Sequence, residues 1–347
     1  MWQVAAVVLA ALAVALAGCG GDDQAAGTAT DTAAAGTTGG GTDVKVGLVT
    51  DIGQLNDRGF NQLAFQGVKQ AKRELGVAYR VIESASDSDY VPNMQSLADE
   101  GYDLVIGVGY AQGEAVATVA KEYPDTKFAI IDVDQASLPG KPANVVGLLF
   151  KEEQAGYLAG VLAATVAKDE GFTTISSVGG MKEPPVDRFI AGYQAGAKAT
   201  VPGITLLNGY SQDWDDVAKC KEVALDQIAQ GSKIVFQVAG GCGLGALDAA
   251  KEKAVYGIGV DADQSFLGPH VLTSALKRVD AAVLLTIKSV VDGTWKGGRN
   301  ATYGLEDDGV GLGKTSPTVG EDAKAAVDEA RDKIASGEIE NIPTTVP

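Results

Sequence analysis

Residues 45–75 read KVGLVTDIGQLNDRGFNQLAFQGVKQAKREL, and this one segment sets the architecture. Lys45–Thr50 is β-prone and mostly apolar, as a strand inside a sheet requires. From Gly59 to Leu75 the apolar residues recur at helical spacing. The polar loop between them, Asp51–Arg58, is long for a strand-to-helix turn. It brings carboxylates, an amide and an aromatic side chain to a helix N-terminus. Two readings compete for it. In one, Asn56 or Asp57 caps the helix and Phe60 enters the core. In the other, Asp51 and Asn61 bond a polar ligand and Phe60 supplies a flat face. The length and polarity of the loop favour the second.

The same alternation continues outward from this unit. Strands are expected at Ala78–Glu83, Leu104–Val108, Phe128–Asp132 and Val145–Leu149. Further ones follow at Thr174–Val178, Ile204–Asn208, Ile234–Val238, Tyr256–Val260 and Val271–Ala275. Helical patterns lie between them, among them Gln112–Glu122, Glu152–Lys168, Phe189–Thr200, Asp215–Gln230 and Gly245–Lys253. Repeated strand–helix–strand units mean right-handed crossovers and largely parallel sheets. About ten strands exceed one comfortable open sheet, so an α/β chain with two doubly wound lobes is expected. Such folds bind ligands outside the C-terminal ends of their strands. The residues directly after each strand are therefore the candidates.

Composition excludes several function classes. The 347 residues carry 45 Asp and Glu against 28 Lys and Arg, a formal charge of −17. A body this acidic repels phosphate backbones, so no nucleic-acid partner is expected. One histidine and three cysteines cannot build a His-rich catalytic zinc site or a Cys₄ cluster. The histidine, His270, follows Gly268-Pro269 in a loop and reads as a surface or packing residue. No cofactor and no metal are called for.

The N-terminus reads as an address. Residues 4–17, VAAVVLAALAVALA, form an uncharged run suited to a signal peptide rather than a retained membrane span. The run ends in Leu16-Ala17-Gly18-Cys19, which resembles the bacterial lipobox, whose cysteine is lipidated. Residues 20–42 hold nothing bulky enough to bury. They are expected to form a disordered tether of roughly 25–30 Å.

Beyond these features, the segment from Val46 to Gln62 is similar to the opening motif of the basic membrane protein family of bacterial solute-binding lipoproteins. Further matching motifs follow in order. They are Tyr123–Phe128, Asn144–Gly147 with Glu153–Gly160, Val178–Gly180 with Phe189–Tyr193, Gly259–Gln264, and Ser274–Asp280. The resemblance covers about residues 44–315. It implies a type I periplasmic-binding-protein fold whose two lobes are joined by a multi-crossing hinge. The implied crossings lie near 148–151, 260–268 and 299–303. The N-terminal lobe is then 44–149 plus 268–299, the C-terminal lobe 150–266 plus 303–347, after a signal peptide at 1–18 and a lipidated tether at 19–42.

The best-understood members of that family are purine nucleoside receptors. The resemblance implies that Asp51 contacts the base, that Phe60 stacks on it, and that a carboxylate after the fourth strand assists. Asp132 and Asp134 both qualify for that role. Trp214 sits where the family places an aromatic, often Phe, and would form the opposing face. Gly240 and Gly241 open a helix in Gly-Gly-Cys-Gly-Leu-Gly. Cys242 breaks the dinucleotide spacing, and backbone contact to a nucleoside is expected there instead of phosphate binding. Asp261 and Lys277 combine an acceptor and a donor that match a ribose diol, and the family assigns both positions to the sugar. Their alternative is a structural ion pair at the hinge. Cys220 and Cys242 lie at the same sheet edge, and a disulfide between them is open to an exported protein.

The function expected is a lipid-anchored, monomeric, extracytoplasmic receptor. It closes on a purine nucleoside, breaks no bond and passes its cargo to an ABC permease, touching the membrane through its anchor only. One alternative keeps the fold and exchanges the nucleoside for a sugar or other small polar metabolite. The other is an extracellular nucleoside hydrolase using the acids at Asp132/Asp134 or Asp261/Asp263.

Overall fold

The computed structural model describes residues 42–346. The expected signal peptide, Cys19 and nearly all of the tether lie outside the described residues. No helix among the described residues is long and apolar enough to cross a membrane.

Two six-stranded sheets carry the chain. The first is built from β1 (Lys45–Val49), β2 (Ala78–Ile82), β3 (Leu104–Gly107), β4 (Lys127–Ile131), β5 (Val145–Phe150) and β11 (Arg299–Tyr303). Its strand order is β11-β5-β4-β3-β1-β2, and every neighbour is parallel. The second sheet contains β6 (Thr174–Gly179), β7 (Thr205–Tyr210), β8 (Ile234–Val238), β9 (Tyr256–Asp261), β10 (Val271–Lys277) and β12 (Val310–Leu312). Its order, β12-β10-β9-β8-β6-β7, repeats the first, except that β12 runs antiparallel to β10. Central strands such as β3 (LVIG) and β8 (IVFQV) are buried throughout because helices cover both faces.

Between the strands of the first sheet run α1 (Phe60–Leu75), α2 (Tyr90–Asp99) and α3 (Gly113–Glu122). Those of the second are joined by α5 (Pro184–Thr200), α6 (Val217–Ala229) and α7 (Gly243–Glu252). Two helices follow crossings between the sheets: α4 (Glu152–Glu170) after β5 and α8 (Val279–Val291) after β10. The last helix, α9 (Glu321–Ala335), packs on α4. Helices α4 and α5 meet through glycines. A Cβ on Gly156 or Gly160 would collide with the carbonyls of Phe189 and Tyr193, and one on Gly192 or Gly196 with those of Glu153 and Tyr157. Only residues without side chains allow two backbones this close.

The expected piece 268–299 of the N-terminal lobe is divided by this arrangement. Strand β10 belongs to the second sheet, in parallel register with β9 (Ser274 beside Gly259), whereas α8 packs on α1 of the first lobe. The connection 262–270 contains only a 3-10 turn, Ser265–Leu267, and so short a link keeps consecutive strands adjacent. The middle crossing therefore falls at Lys277–Val279, not at 260–268. The third lies between β11 and β12, beyond the expected 299–303, because Arg299–Tyr303 is itself a strand of the first sheet.

Candidate functional site

The C-terminal edges of the two sheets face one cleft. From the first lobe it is lined by Asp51, Phe60 and Asn61 after β1, Gly109 and Tyr110 after β3, and Asp132 after β4. The second lobe adds Glu183 after β6, Trp214 after β7, Gly240 and Gly241 after β8, Asp261 at the end of β9 and Lys277 at the end of β10. The lobes touch across it. Gln54 Nε2 donates to Asp215 Oδ2 at 3.1 Å, and the Arg58 guanidinium lies 5.5 Å from the Phe266 ring centre.

The polar loop is held by its own side chains. Asp57 Oδ1 accepts from the backbone N–H of Gly59 and Gln62, and its Oδ2 from that of Asn61 at 2.7 Å, closing the first turn of α1. Asp57 thus serves the helix start, and Phe60 lines the cleft. Asn61 is buried and donates Nδ2 to Asp51 Oδ1 at 2.6 Å, while Gly53 N–H donates to the same oxygen at 2.8 Å. Asp51 Oδ2 makes no hydrogen bond among the described residues. Burial pushes the Asp51 carboxyl up to about 6, against the pull of those two donors.

The fourth strand of each lobe ends in the same four-residue pattern. Asp132-Val133-Asp134-Gln135 follows β4, and Asp261-Ala262-Asp263-Gln264 begins at the last residue of β9. The inner acids are both left-handed, with φ of 72° at Asp132 and 61° at Asp261, a conformation Asp tolerates better than most residues. That backbone turn aims both into the cleft. The outer acids are used locally: Asp134 Oδ1 accepts from Ala136 N–H and from Asn300 Nδ2, and Asp263 Oδ1 accepts from Ser265 N–H. Asp134, one of the two open candidates, is therefore spent on its own turn and is not among the residues lining the cleft.

Lys277 is 2 % exposed and bridges the lobes. Its Nζ lies 2.6 Å from Asp132 Oδ1 and 2.9 Å from Glu152 Oε1. The alternative of a structural ion pair with Asp261 is not found. The ion-pair partners are Asp132, which follows β4, and Glu152, the buried first residue of α4. Burial alone would lower the lysine pKa, but the adjacent acids reverse the effect and hold it above its ordinary value. Asp261, 8 % exposed, makes no hydrogen bond or ion pair among the described residues, and burial raises its carboxyl to about 7. Lys277 Nζ also sits 5.1 Å from the centre of the Phe60 ring.

Trp214 lies flat against Gly180, where any Cβ would strike its ring. Its carbonyl accepts from Cys242 N–H at 2.9 Å. Cys242 is joined to Cys220 with Cα atoms 5.5 Å apart, so the start of α6 is tied to the glycine loop. Gly240 has φ 53°, a turn that favours glycine.

Among the lining residues that the sequence reading missed are Glu183, Tyr110, Phe189 and Asp57 in its cleft-facing aspect. Glu183 lies four positions beyond β6, just ahead of Pro184-Pro185, and inspecting post-strand residues further along would have found it. Burial pushes its carboxyl up to about 7, with the Asp51 and Asp132 charges adding to the effect. Among the described residues no cluster of three or more His, Cys, Asp or Glu side chains is placed to hold a metal. The arrangement offers carboxylate acceptors, one bridging ammonium and two aromatic faces, which is equipment for holding a planar polar molecule.

Comparison with known proteins agrees with this geometry. The chain is 36 % identical to the ABC transporter nucleoside-binding protein BmpA of Lactococcus lactis over 97 % of both chains. It is 39 % identical to an uncharacterized lipoprotein of Pyrococcus abyssi, over 80 % of this chain and 72 % of that one. An ABC transporter solute-binding protein from Aeropyrum pernix, solved by crystallography, superposes with a TM-score of 0.79 at 28 % identity, covering 86 % of this chain and 94 % of that one. The profile of a family described as ABC transporter substrate-binding protein PnrA-like matches residues 44–344. With a periplasmic-binding-protein fold and a cleft between its lobes, the chain belongs to this PnrA-like, basic membrane protein family of ABC transporter substrate-binding proteins.

Proposed function

We infer that this family member is a lipid-anchored extracytoplasmic receptor that closes on a purine nucleoside. The observation that carries the reading is the meeting of Phe60 and Trp214, one from each lobe, in a single cleft rich in carboxyl groups. Two aromatic faces suit a flat heterocycle, since stacking is indifferent to which base is present. Base identity then rests on Asp51, whose free Oδ2 awaits a donor. Asp261, unpaired and buried, suits a sugar hydroxyl. Lys277, whose Nζ lies within 2.9 Å of carboxylate oxygens of Asp132 and Glu152, also lines the cleft and brings it a positive charge. Gly240 and Gly241 leave room for close backbone approach.

Binding draws on both lobes at once, so ligand shifts the population toward the closed form without any covalent step. Relatives named as lipoproteins support anchoring through Cys19, and the Cys220–Cys242 bond suits an oxidising compartment. A closed, loaded receptor would then hand its cargo to the permease of its ABC importer. The test is a thermal-shift and calorimetric panel of purine nucleosides, free bases and ribose, with mass spectrometry of small molecules released on denaturation. Nucleosides are expected to stabilise the protein most. Stabilisation by ribose alone, or by no nucleoside, would overturn the assignment.

A further inference from the structure

Glu183 sharpens the ligand class, in an inference that rests on the nucleoside reading above. It holds the N-cap position of α5 yet makes no cap hydrogen bond. Its carboxylate has no hydrogen-bond or ion-pair partner among the described residues, although it lines the cleft. The two residues after it, Pro184 and Pro185, have no backbone N–H, so this helix terminus brings few donors of its own.

Across the cleft, Glu183 shares a mouth with Asp51 of the first lobe. Asp51 Oδ1 is satisfied by Asn61 and Gly53, which leaves Oδ2 unserved. One carboxyl from each lobe, an acceptor when ionised, thus lines the same mouth of the cleft. The cation of the cleft, Lys277, is already held by Asp132 and Glu152. A ligand edge seated there has to supply at least two donors, because a buried acceptor left without one costs more than a neutral contact gains.

We propose that Glu183 and Asp51 act together as a two-lobe acceptor pair that selects purine nucleosides bearing an exocyclic amino group over hypoxanthine nucleosides. Adenine brings two amino hydrogens and guanine brings N1–H with its amino group, so either base serves both carboxylates. Hypoxanthine brings a single N1–H on that edge. It serves one carboxylate and turns either its oxo group or C2–H, neither of them a good donor, toward the other. A site built around hydrogen-bond partners rejects an analogue lacking one of them far more strongly than an apolar pocket rejects a missing methyl.

The experiment is calorimetric titration of the full chain with adenosine, guanosine and inosine, in the wild type and in Glu183→Gln. The wild type is expected to bind adenosine and guanosine at least tenfold more tightly than inosine. Glu183→Gln, whose amide can donate to an oxo group, is expected to shrink that preference below threefold with an unchanged melting temperature. Glu183→Ser, a natural N-cap residue, gives a second reading with the same expected loss. Equal affinities for all three nucleosides in the wild type, or a preference that survives both substitutions, would overturn the role of Glu183 while leaving the nucleoside assignment standing. Binding of none of the three would instead remove the nucleoside assignment and this inference with it.

Discussion

The two lobes share a strand order and a D-x-D-Q turn but make their cleft walls rigid by different means. In the first lobe the wall is a long polar loop knitted by buried carboxylates: Asp57 gathers three backbone N–H groups and Asn61 anchors Asp51. In the second, the wall is short and is fastened by the Cys220–Cys242 bond and by the Trp214 carbonyl on Cys242 N–H. The inner acids diverge in the same way. Asp132 is committed to Lys277, while Asp261 is left free for something else. A repeated scaffold therefore fixes where functional groups stand, and each copy is then free to specialise in what those groups do.

Lys277 is the point where the comparison is most exposed to test, since it belongs to one sheet and is paired with the other lobe. Lys277→Met leaves Asp132 buried without its cation and Glu152 with only Arg188, 3.5 Å away, a loss on the order of 3–5 kcal/mol. Ligand affinity should fall by more than about 100-fold, and the melting temperature should drop. Titration calorimetry and thermal unfolding report both. An unchanged pair of values would mean the lobes are held by other contacts.

A Cys220→Ser/Cys242→Ser variant should lose about 3 kcal/mol of stability by the chain-entropy argument for a loop of this size. Hydrogen exchange is expected to rise across 211–243 and to stay unchanged across 51–62. Equal loosening of both walls would break the contrast between them. The smallest effect separates the two inner acids. Asp261→Asn should weaken nucleoside binding by about 1.5 kcal/mol, roughly tenfold, without lowering the melting temperature. Asp132→Asn should lower the melting temperature because Lys277 loses a partner. Identical behaviour of the two variants would mean their roles are not divided.

Much of the fold was legible because its inner strands are continuous apolar runs and its helices have clear periodicity. The edges were not. Arg299–Tyr303 (RNATY) is half-exposed and polar, and Val310–Leu312 is too short to show a period, so neither reads as a strand. In the site, inspecting residues just after strands pointed to Asp51, Gly240, Asp261 and Lys277, because topology places them at one edge, while Trp214 was pointed to by the family resemblance. Partnerships were harder. Lys277 and Asp261 end neighbouring strands and read as a pair, whereas one actual partner, Asp132, lies 145 residues away and belongs to the other sheet's edge. Asp132 and Asp134 cannot be told apart by composition. The left-handed turn at Asp132 puts that residue, and not Asp134, on the cleft lining.

The glycine seam between α4 and α5 carries a practical consequence. Those helices slide or tilt only if four backbone contacts give way together, so they form a plank rather than a joint. Anyone converting this receptor into an optical reporter would leave Gly156, Gly160, Gly192 and Gly196 alone. A fluorescent module belongs instead near 304–309, in the link between β11 and β12, where the chain passes from one sheet to the other and bending can be turned into signal.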